Sequence, residues 1–552
     1  MKTEIEQAIA RACQDLFDIK IEPVLTRPDE QFGDYATNVA LQLGQKLGQN
    51  PRIIAEKLSA SIKSPAIKKT EVAGPGFINI WLSDESLLKS LDQKIAQSLK
   101  GQVAVAEYSD PNPFKVLHAG HLYTSVVGDA IANLLETAGA EVHRVNFGGD
   151  VGLHVAKSMW AIIQKLGGEN PNELAKVSSI ERADWLSQRY VEGNDVYEDN
   201  DDARRAIVSI NKRVYDLFDS HDKTSDFAKI YWTCRQWSYD YFNEFYEQLG
   251  TKFEKYYPES ETAPIGLKVV KQQLKRGVYK QSDGAVVFDG ERYDLHTRVF
   301  INSEGLPTYE AKDVGLIMAK WQDYHFDKSV VITGNDIVEY MKVVLKSIEQ
   351  FEPELVQNTI HLTHGMIKLA GGTKMSSRKG NVLKAQDLLD AAAKANQKVR
   401  EQSDEAVELG AVKYAFLKQR MGADIIYDPD ESVSLQGNSG PYLQYAHARA
   451  CSILAKAKAG EAKATDLQAD ERSLTRKISE FTEVVDKAVD ELMPHHICTY
   501  LYELAQTFNH FYEKNRVIDD KRQTIRIKLV KSYADVLKNG LGLLSINAPE
   551  KM

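Results

Sequence analysis

The chain has 552 residues, of which 43% are hydrophobic and 27% charged, and its formal net charge is −9. This length predicts about three or four domains, the acidic balance argues against a general coating of nucleic acid, and no apolar run approaches the roughly 18 residues of a membrane span. The N-terminus lacks a signal-peptide pattern and the four cysteines lack CxxC or zinc-ligand spacing, so we expect a cytoplasmic protein without membrane association, disulfides or protein-bound zinc.

Residues 1–100 have the pattern of a small α+β domain. Apolar periodicity and turn residues predict, in chain order, a helix over 4–17, a helix over 36–47, a helix from Pro51 and a strand hairpin over 69–81.

Residues 101–385 have the pattern of a Rossmann-like α/β domain with a parallel sheet. A βαβ unit is predicted from a strand at 103–108, a helix over 120–138 and a strand at 141–147. Its first loop follows the carboxyl end of a strand, which is where open α/β sheets bind ligands. We expect an aromatic, helical insertion at about 155–298 to interrupt this domain.

Residues 386–552 have mainly helical periodicity, with Pro494 at a helix start. The simplest interpretation is an all-α bundle. The fold class is therefore α/β, with a small N-terminal domain, an interrupted sheet domain and a C-terminal bundle.

Two histidines, His118 and His121, lie three residues apart at the start of the predicted helix. Both rings can face one ligand, Gly120 leaves the backbone open to a nucleotide, and a helix N-terminus favours anions. The alternative is a pair of capping or core histidines.

A second segment concentrates cations and hydroxyls far downstream, in the order Lys374-Met375-Ser376-Ser377-Arg378-Lys379-Gly380. Phosphoryl chemistry needs mainly positioned charge on the phosphate oxygens, which such side chains can supply. Together with the histidine pair, this segment indicates ATP-dependent activation of a carboxylate. A solvated basic loop is the alternative.

These segments resemble the HIGH and KMSKS signatures of class I aminoacyl-tRNA synthetases. Longer stretches are similar to the arginyl-tRNA synthetases: Ser109-Asp110-Pro111-Asn112, Gly128-Asp129-Ala130, Arg144-Val145-Asn146, Pro307-Thr308-Tyr309 with Asp313, and residues 437–449. The resemblance covers nearly the whole chain. It implies an additional N-terminal domain, a catalytic domain and an anticodon-binding bundle, with ATP and Mg²⁺, L-arginine and tRNA(Arg) as substrates and with activation that requires bound tRNA.

The resemblance also implies roles for individual residues. The ATP site would comprise His118, Gly120, His121, Lys374 and Met375, and catalysis would also involve Ser376, Ser377, Arg378 and Lys379. A guanidinium group is a planar cation suited to carboxylates and a phenol, and Glu107, Tyr309 and Asp313 would hold it. The α-amino and α-carboxylate groups would be oriented by Ser109, Asn112 and His118, with Asp336 as a further α-ammonium contact.

For tRNA, the resemblance assigns a D-loop base to Phe77 and Asn79, since an aromatic ring and an amide suit an unstacked base. The anticodon side would be contacted by Tyr442, Gln444, Tyr445, Asn509 and Tyr512. A basic region from Lys514 to Lys538 could follow a phosphate backbone. The alternatives are a hydrophobic hairpin with a capping asparagine and a solvated basic helix face.

Two other functions compete with this assignment. One is a different class I synthetase or a nucleotidyltransferase with the same histidine motif. The other is a catalytically silent relative that only binds RNA. For the arginyl-tRNA synthetase assignment we expect a monomer.

Overall fold

The computed structural model describes residues 1–370, 383–400, 404–457 and 466–552. Within these residues the helices are α1 (Lys2–Phe17), α2 (Val39–Leu47), α3 (Pro51–Ser61), α4 (Asp84–Ser90), α5 (Ala119–Thr137), α6 (Leu153–Lys165), α7 (Arg182–Asp199), α8 (Asp201–Asp219), α9 (Asp226–Leu249), α10 (Glu259–Lys275), α11 (Tyr309–Tyr324), α12 (Val338–Glu349), α13 (Pro353–Gln357), α14 (Ala385–Val399), α15 (Glu405–Leu417), α16 (Pro429–Ser432), α17 (Gly440–Lys456), α18 (Ala469–Ser479), α19 (Phe481–Glu491), α20 (His495–Lys514) and α21 (Gln523–Leu543). None of these helices combines the length and the apolar character that crossing a membrane requires.

The strands are β1 (Leu25–Thr26), β2 (Tyr35–Thr37), β3 (Ile67–Ala73), β4 (Phe77–Leu82), β5 (Val103–Glu107), β6 (Glu141–Gly148), β7 (Lys255–Pro258), β8 (Lys280–Ser282), β9 (Ala285–Phe288), β10 (Arg298–Ile301), β11 (Lys328–Gly334), β12 (Thr359–His364), β13 (Ile367–Leu369) and β14 (Ile425–Tyr427). They form four sheets, with orders β1-β2-β4-β3, β12-β11-β5-β6-β7, β10-β9-β8 and β13-β14.

The N-terminal part packs α1, α2 and α3 on the antiparallel sheet β1-β2-β4-β3 around a core that includes Ile9, Leu43 and Ile80. The three predicted helices and the hairpin are confirmed. The second helix begins at Val39 rather than at residue 36, because residues 35–37 form β2 and pair with β4.

The central sheet is parallel and contains the predicted βαβ unit, β5-α5-β6. After β5 the chain continues to β6 on one side, whereas β11 lies on the other side of β5. The carboxyl ends of β5 and β11 therefore flank a topological switch point, the usual place for a ligand in such sheets.

The predicted insertion at 155–298 is not one continuous unit. Helices α6 to α9 form a helical subdomain, but the chain then returns to the central sheet as β7, which pairs in parallel with β6 from Val145 to Gly148. Helix α10 and strands β8, β9 and β10 form a second excursion. The strand β7 has only four residues, Lys255–Pro258, which is too short to give a periodic signal.

The C-terminal region is helical from α14 to α21, as predicted, and the described residues add one short strand, β14, which pairs with β13. Helix α20 begins directly after Pro494, as predicted. This region also contacts α5: Ser545 Oγ donates to Asp129 Oδ2 at 2.8 Å, and Asn133 Nδ2 donates to Ser545 Oγ at 2.8 Å.

Partly buried ion pairs join the N-terminal part to the C-terminal bundle. Arg472 on α18 contacts Asp34 at 2.6 Å, and Arg27 contacts Glu483 on α19 at 2.6 Å. Tyr35 also donates to Glu483 at 2.7 Å. The N-terminal part is therefore held against the C-terminal bundle by charged hydrogen bonds that neither part could satisfy alone.

The close packing of α5 on β5 gives a test of this architecture. A Cβ added at Gly128 would lie 2.1 Å from the Tyr108 ring, so Gly128→Ala should destabilise the protein by about 1–3 kcal/mol. Calorimetry should show a lower unfolding temperature. The matched control is Gly542→Ala on α21, where an added Cβ has no neighbour within 4 Å and should not destabilise. Equal unfolding temperatures for the two variants would contradict the packing.

Candidate active site

The two predicted histidines form the N-terminal cap of α5. His118 Nδ1 accepts hydrogen bonds from the backbone N–H of Gly120 at 3.1 Å and of His121 at 3.4 Å. The backbone N–H of His118 donates in return to His121 Nδ1 at 3.1 Å, and the rings stack with centroids 3.7 Å apart. Because both Nδ1 atoms accept, the ring proton of each neutral imidazole must be on Nε2.

Both imidazoles are neutral at physiological pH. Desolvation in the cleft lowers the pKa of His118 to about 4, and repulsion from Lys115 and His364 acts in the same direction. Desolvation and the neighbouring His118 also hold the pKa of His121 well below its usual value. The capping alternative is therefore correct as a description of their structure, yet each ring still presents an Nε2–H donor to an anion.

Gly120 lies so close to the His118 ring that a Cβ there would be 2.9 Å from His118 Cε1. The glycine makes room for the imidazole that caps the helix. Any side chain at this position would displace the His118 ring.

The second signature, comprising Lys374, Met375, Ser376, Ser377, Arg378 and Lys379, lies outside the described residues. The segment that follows it, from Leu383, lies against the residues on either side of His118. Ala119 N donates to Leu383 O at 2.8 Å and Ala385 N donates to Leu117 O at 2.9 Å. Lys384, which lies between them, contacts Asp184 on α7 at 2.6 Å. Residues 383–385, which follow the signature, are thus bonded beside the imidazoles.

The loop from β5 to α5 has an unusual backbone. Three non-glycine residues have positive φ angles, Ser109 at 76°, Asp110 at 50° and Phe114 at 69°. Such conformations cost of order 1–3 kcal/mol each and are typical of functional loops. Hydrogen bonds from the β6-α6 connection hold the loop: Gly149 N donates to Asn112 Oδ1 at 3.0 Å and Phe147 N donates to Asp110 Oδ1 at 2.8 Å.

Two of the predicted ligand contacts, Ser109 and Asn112, are already bonded within the protein. The Ser109 hydroxyl lies 2.8 Å from the hydroxyl of Tyr246, and the Asn112 carbonyl oxygen accepts from Gly149. A ligand would have to share these atoms with the protein, which suits a positioning role for both side chains.

A cluster of carboxyl groups lies at the carboxyl end of β5. Glu107 is 3% exposed and forms an ion pair with Lys320, and Tyr340 donates a hydrogen bond to Asp313. Burial raises the pKa of Asp313 to about 7, and repulsion from Glu107 adds to this rise. Burial and Glu107 likewise raise the pKa of Asp110 well above its usual value. Three carboxyl groups thus interact electrostatically with one ammonium group, that of Lys320, and the surplus of carboxyl groups favours a cationic ligand.

The remaining predicted residues lie around this cluster. Tyr309 begins α11, is 54% exposed, and places its hydroxyl 3.5 Å from His154 Nδ1. Lys312 lies 4.9 Å from the centre of the Tyr309 ring and forms a buried pair with Glu259 at 2.6 Å. Asp336 is exposed after β11, and its charge raises the pKa of His118, so the carboxylate is within electrostatic range of that imidazole.

The sequence analysis missed several charged neighbours of the site. Lys115 lies 3.9 Å from the centre of the Tyr190 ring, and burial followed by repulsion from Lys157 lowers its pKa to about 8. Its position three residues before His118 was the only available signal. Lys320 gave no signal, because its partner Glu107 is 213 positions away in the chain.

The predicted RNA contacts in the N-terminal part share one face of β4. Phe77 is 41% exposed, whereas Asn79 on the same face is largely buried. Trp81 continues this face, and Lys69 lies 4.0 Å from the centre of its ring. The face offers an exposed ring at Phe77 and, at its other end, the half-buried ring of Trp81 with a cation beside it.

In the C-terminal bundle, the predicted contacts separate into two groups. Tyr445 is exposed, Asn509 donates to the Tyr442 hydroxyl at 2.8 Å, and Arg449 lies 4.7 Å from the centre of the Tyr512 ring. These four aromatic and amide residues are available on one surface.

Gln444 is fully buried, and its amide donates to Ala406 O at 3.0 Å and to Asn547 O at 2.9 Å. The prediction that Gln444 contacts RNA is therefore wrong, because one position along a helix turns the side chain by about 100° away from its neighbour. Arg522 and Arg526 of the predicted basic region are likewise internal, since both pair with Glu471.

Comparison with protein-family models gives three matches. The Arginyl tRNA synthetase N terminal domain matches residues 1–82, the class I tRNA synthetase (R) catalytic domain matches residues 84–428, and the DALR anticodon binding domain matches residues 443–552. Among the described residues, no group of three or more His, Cys, Asp or Glu side chains could hold a metal ion.

Curated relatives match over their full lengths. An arginine–tRNA ligase from Bdellovibrio bacteriovorus is 30% identical over 582 residues, covering 99% of this chain and 98% of the relative. One from Clostridium perfringens is 27% identical over 580 residues, covering 100% of both. The solved structure of Thermus thermophilus arginyl-tRNA synthetase shares the fold with a TM-score of 0.82 at 24% identity, covering 100% of both chains.

The cap geometry predicts the tautomers of the imidazoles. Nitrogen NMR of histidine-labelled protein should show His118 and His121 as Nε2–H tautomers from pH 6 to 8, because the pKa of His118 is about 4 and that of His121 is also low. The variants H118Q and H121Q assign the two resonances. Protonation of either ring near pH 6.5, or a proton on Nδ1, would contradict the cap.

Proposed function

Because the chain belongs to the arginyl-tRNA synthetases, class I enzymes that use ATP to attach L-arginine to tRNA(Arg), we propose roles for its residues from the geometry of the cleft. The observation that carries this assignment is that two environments, one suited to a cation and one suited to an anion, lie side by side after the carboxyl end of β5. A carboxyl cluster suits a guanidinium group, and beside it neutral imidazoles and Lys115 suit a triphosphate.

We propose that Glu107 and Asp313 pair with the guanidinium group and that the Tyr309 ring covers it. The bond that Tyr340 donates to Asp313 and the ion pair of Glu107 orient the two carboxylates. Ser109, Asn112 and Asp336 then direct the α-amino group, and the arginine carboxylate faces the α-phosphorus.

At the phosphates, the Nε2–H groups of His118 and His121 donate to the triphosphate, and Lys115 adds positive charge. Lys374, Ser376, Ser377, Arg378 and Lys379 complete the phosphate contacts, with Gly120 and Met375 against the nucleotide. The carboxylate oxygen forms a bond to the α-phosphorus and pyrophosphate leaves. A ribose hydroxyl of the terminal adenosine then takes the arginyl group and releases AMP. Mg²⁺ enters with ATP and neutralises its phosphates.

For tRNA, we propose that the exposed Phe77, supported by Asn79, contacts the corner of the molecule. Tyr442, Tyr445, Asn509 and Tyr512 contact the anticodon loop, where stacking on aromatic rings binds unpaired bases. Residues 1–100, 101–385 and 386–552 thus serve as corner-binding, catalytic and anticodon-binding parts.

We further propose that the protein works as a cytoplasmic monomer. The described carboxylates, imidazoles and Lys115 of the cleft all come from one chain. Its four cysteines are free thiols, three of them buried, which suits a reducing compartment.

The assignment is tested by measuring AMP formation with each amino acid in the presence of tRNA. Arginine alone should drive the reaction, and pyrophosphate exchange should be weak without tRNA.

His121→Ala should reduce adenylation by about 10²–10³ because one phosphate donor is lost, with unchanged tRNA affinity. Equal losses in both would favour a protein that only binds RNA, and full exchange without tRNA would refute only the coupling.

The pKa of Asp313 predicts how arginine affinity depends on pH. The guanidinium group stays charged, so it binds best once Asp313 has lost its proton. With the pKa near 7, KM for arginine should fall by about tenfold from pH 6 to pH 8. Asp313→Asn should raise KM and remove this dependence, and KM for ATP is the internal control. An unchanged pH profile in Asp313→Asn would contradict the role of this carboxyl group.

A further inference from the structure

Lys320 is a buried cation that joins three elements of the site. It is 0% exposed, and its ammonium group forms the ion pair with Glu107 Oε2 on β5 and lies 3.2 Å from Ser329 Oγ on β11. Ser329 lies opposite Val105 of β5 in the parallel pairing. The side chain of Lys320 therefore connects α11 to both strands that flank the switch point.

The same face of α11 carries the proposed guanidinium contacts. Tyr309, Asp313 and Lys320 are at positions i, i+4 and i+11, which fall within about 40° of one another at about 100° per residue. The helix thus places the Lys320 side chain on the same face as Tyr309 and Asp313, the two residues that would contact the substrate guanidinium.

The charges around this ammonium group are mostly negative. Glu107, Asp110 and Asp313 act on one another, and Glu259 approaches from α10. Lys312, next to Asp313 on α11, forms an ion pair with Glu259 at 2.6 Å. Lys320 bonds only one oxygen of Glu107, and no side chain or backbone donor in the described parts of the chain reaches the other oxygen, Oε1.

We propose that Lys320 is a positioning residue for arginine selection, which holds the Glu107 side chain oriented so that Oε1 remains available for the substrate guanidinium. This inference rests on the proposed role of Glu107. A buried ion pair contributes little net stability, so stability alone does not account for it. Its partner, Glu107, lies at the end of β5 in the proposed guanidinium site, and this location indicates a functional role for the ion pair.

Removing the Lys320 ammonium group should weaken the contact between Glu107 and the guanidinium group, without removing any group that itself contacts the substrate. In Lys320→Met the buried carboxyl group has no cation, and its neutral, protonated form is then favoured. The loss of a charged hydrogen bond should raise KM for arginine by about 10- to 100-fold at pH 7, with a small change in kcat and in KM for ATP. Because raising the pH restores the carboxylate, KM should recover in part between pH 7 and pH 9, and by more than the KM of the unmodified protein falls over the same range.

A double-mutant cycle separates this role from simple structural support. Glu107→Gln should raise KM for arginine, and K320M/E107Q should have the same KM as E107Q, because Lys320 acts through Glu107. Ser329→Ala is the matched control, since it removes the neutral partner of Lys320 and should change KM little. If Lys320→Met does not fold, Lys320→Gln, which keeps a donor without the charge, carries the same comparison.

The outcomes are distinguishable. An unchanged KM in E107Q would overturn the proposed guanidinium site and the inference with it. A raised KM in E107Q, combined with an unchanged KM in Lys320→Met or with additive losses that do not recover at high pH, would overturn only the role of Lys320. Recovery with pH and equal KM values in E107Q and K320M/E107Q would establish it.

Discussion

The cleft depends on the hydrogen-bonded N-terminus of α5. The backbone N–H groups of Gly120 and His121 donate to the His118 ring, and the His118 N–H donates to the His121 ring. These bonds satisfy the open end of the helix and at the same time direct both Nε2–H groups outward. A single local constraint thus gives the phosphate side of the cleft its donors without giving it two additional charges.

The two sides of the cleft have opposite electrostatics and are separated by the short β5-α5 loop. At one end of this loop lies the Glu107 cluster, and at the other lie the imidazoles with Lys115. The positive φ angles of Ser109, Asp110 and Phe114 allow the loop to turn sharply between them. Strain in the loop is offset by bonds to Asn112 and Asp110 from the neighbouring strand end. The proposed cation site and the proposed anion site therefore lie at the two ends of one short loop.

The far end of α5 is bonded to the last part of the chain. Asp129 and Asn133 contact Ser545, and Lys413 donates both to Ser545 O and to Leu249 O at 2.7 Å. The helix that carries the two imidazoles thus packs directly against the C-terminal bundle. A displacement of that bundle when RNA binds would act directly on α5, which would give the proposed coupling between tRNA and activation a physical route.

The sequence by itself determined what is encoded over short distances. The βαβ unit, the N-terminal helices and hairpin, the start of α20 and the histidine pair all depend on residues within a few positions of one another, where periodicity and capping leave a visible pattern. Only the tertiary structure decided three other features: β7 returns to the central sheet, the Gln444 side chain faces the interior, and Glu107 pairs with Lys320. These features depend on single contacts between distant segments, and such contacts satisfy buried polar groups without producing any repeat in the sequence.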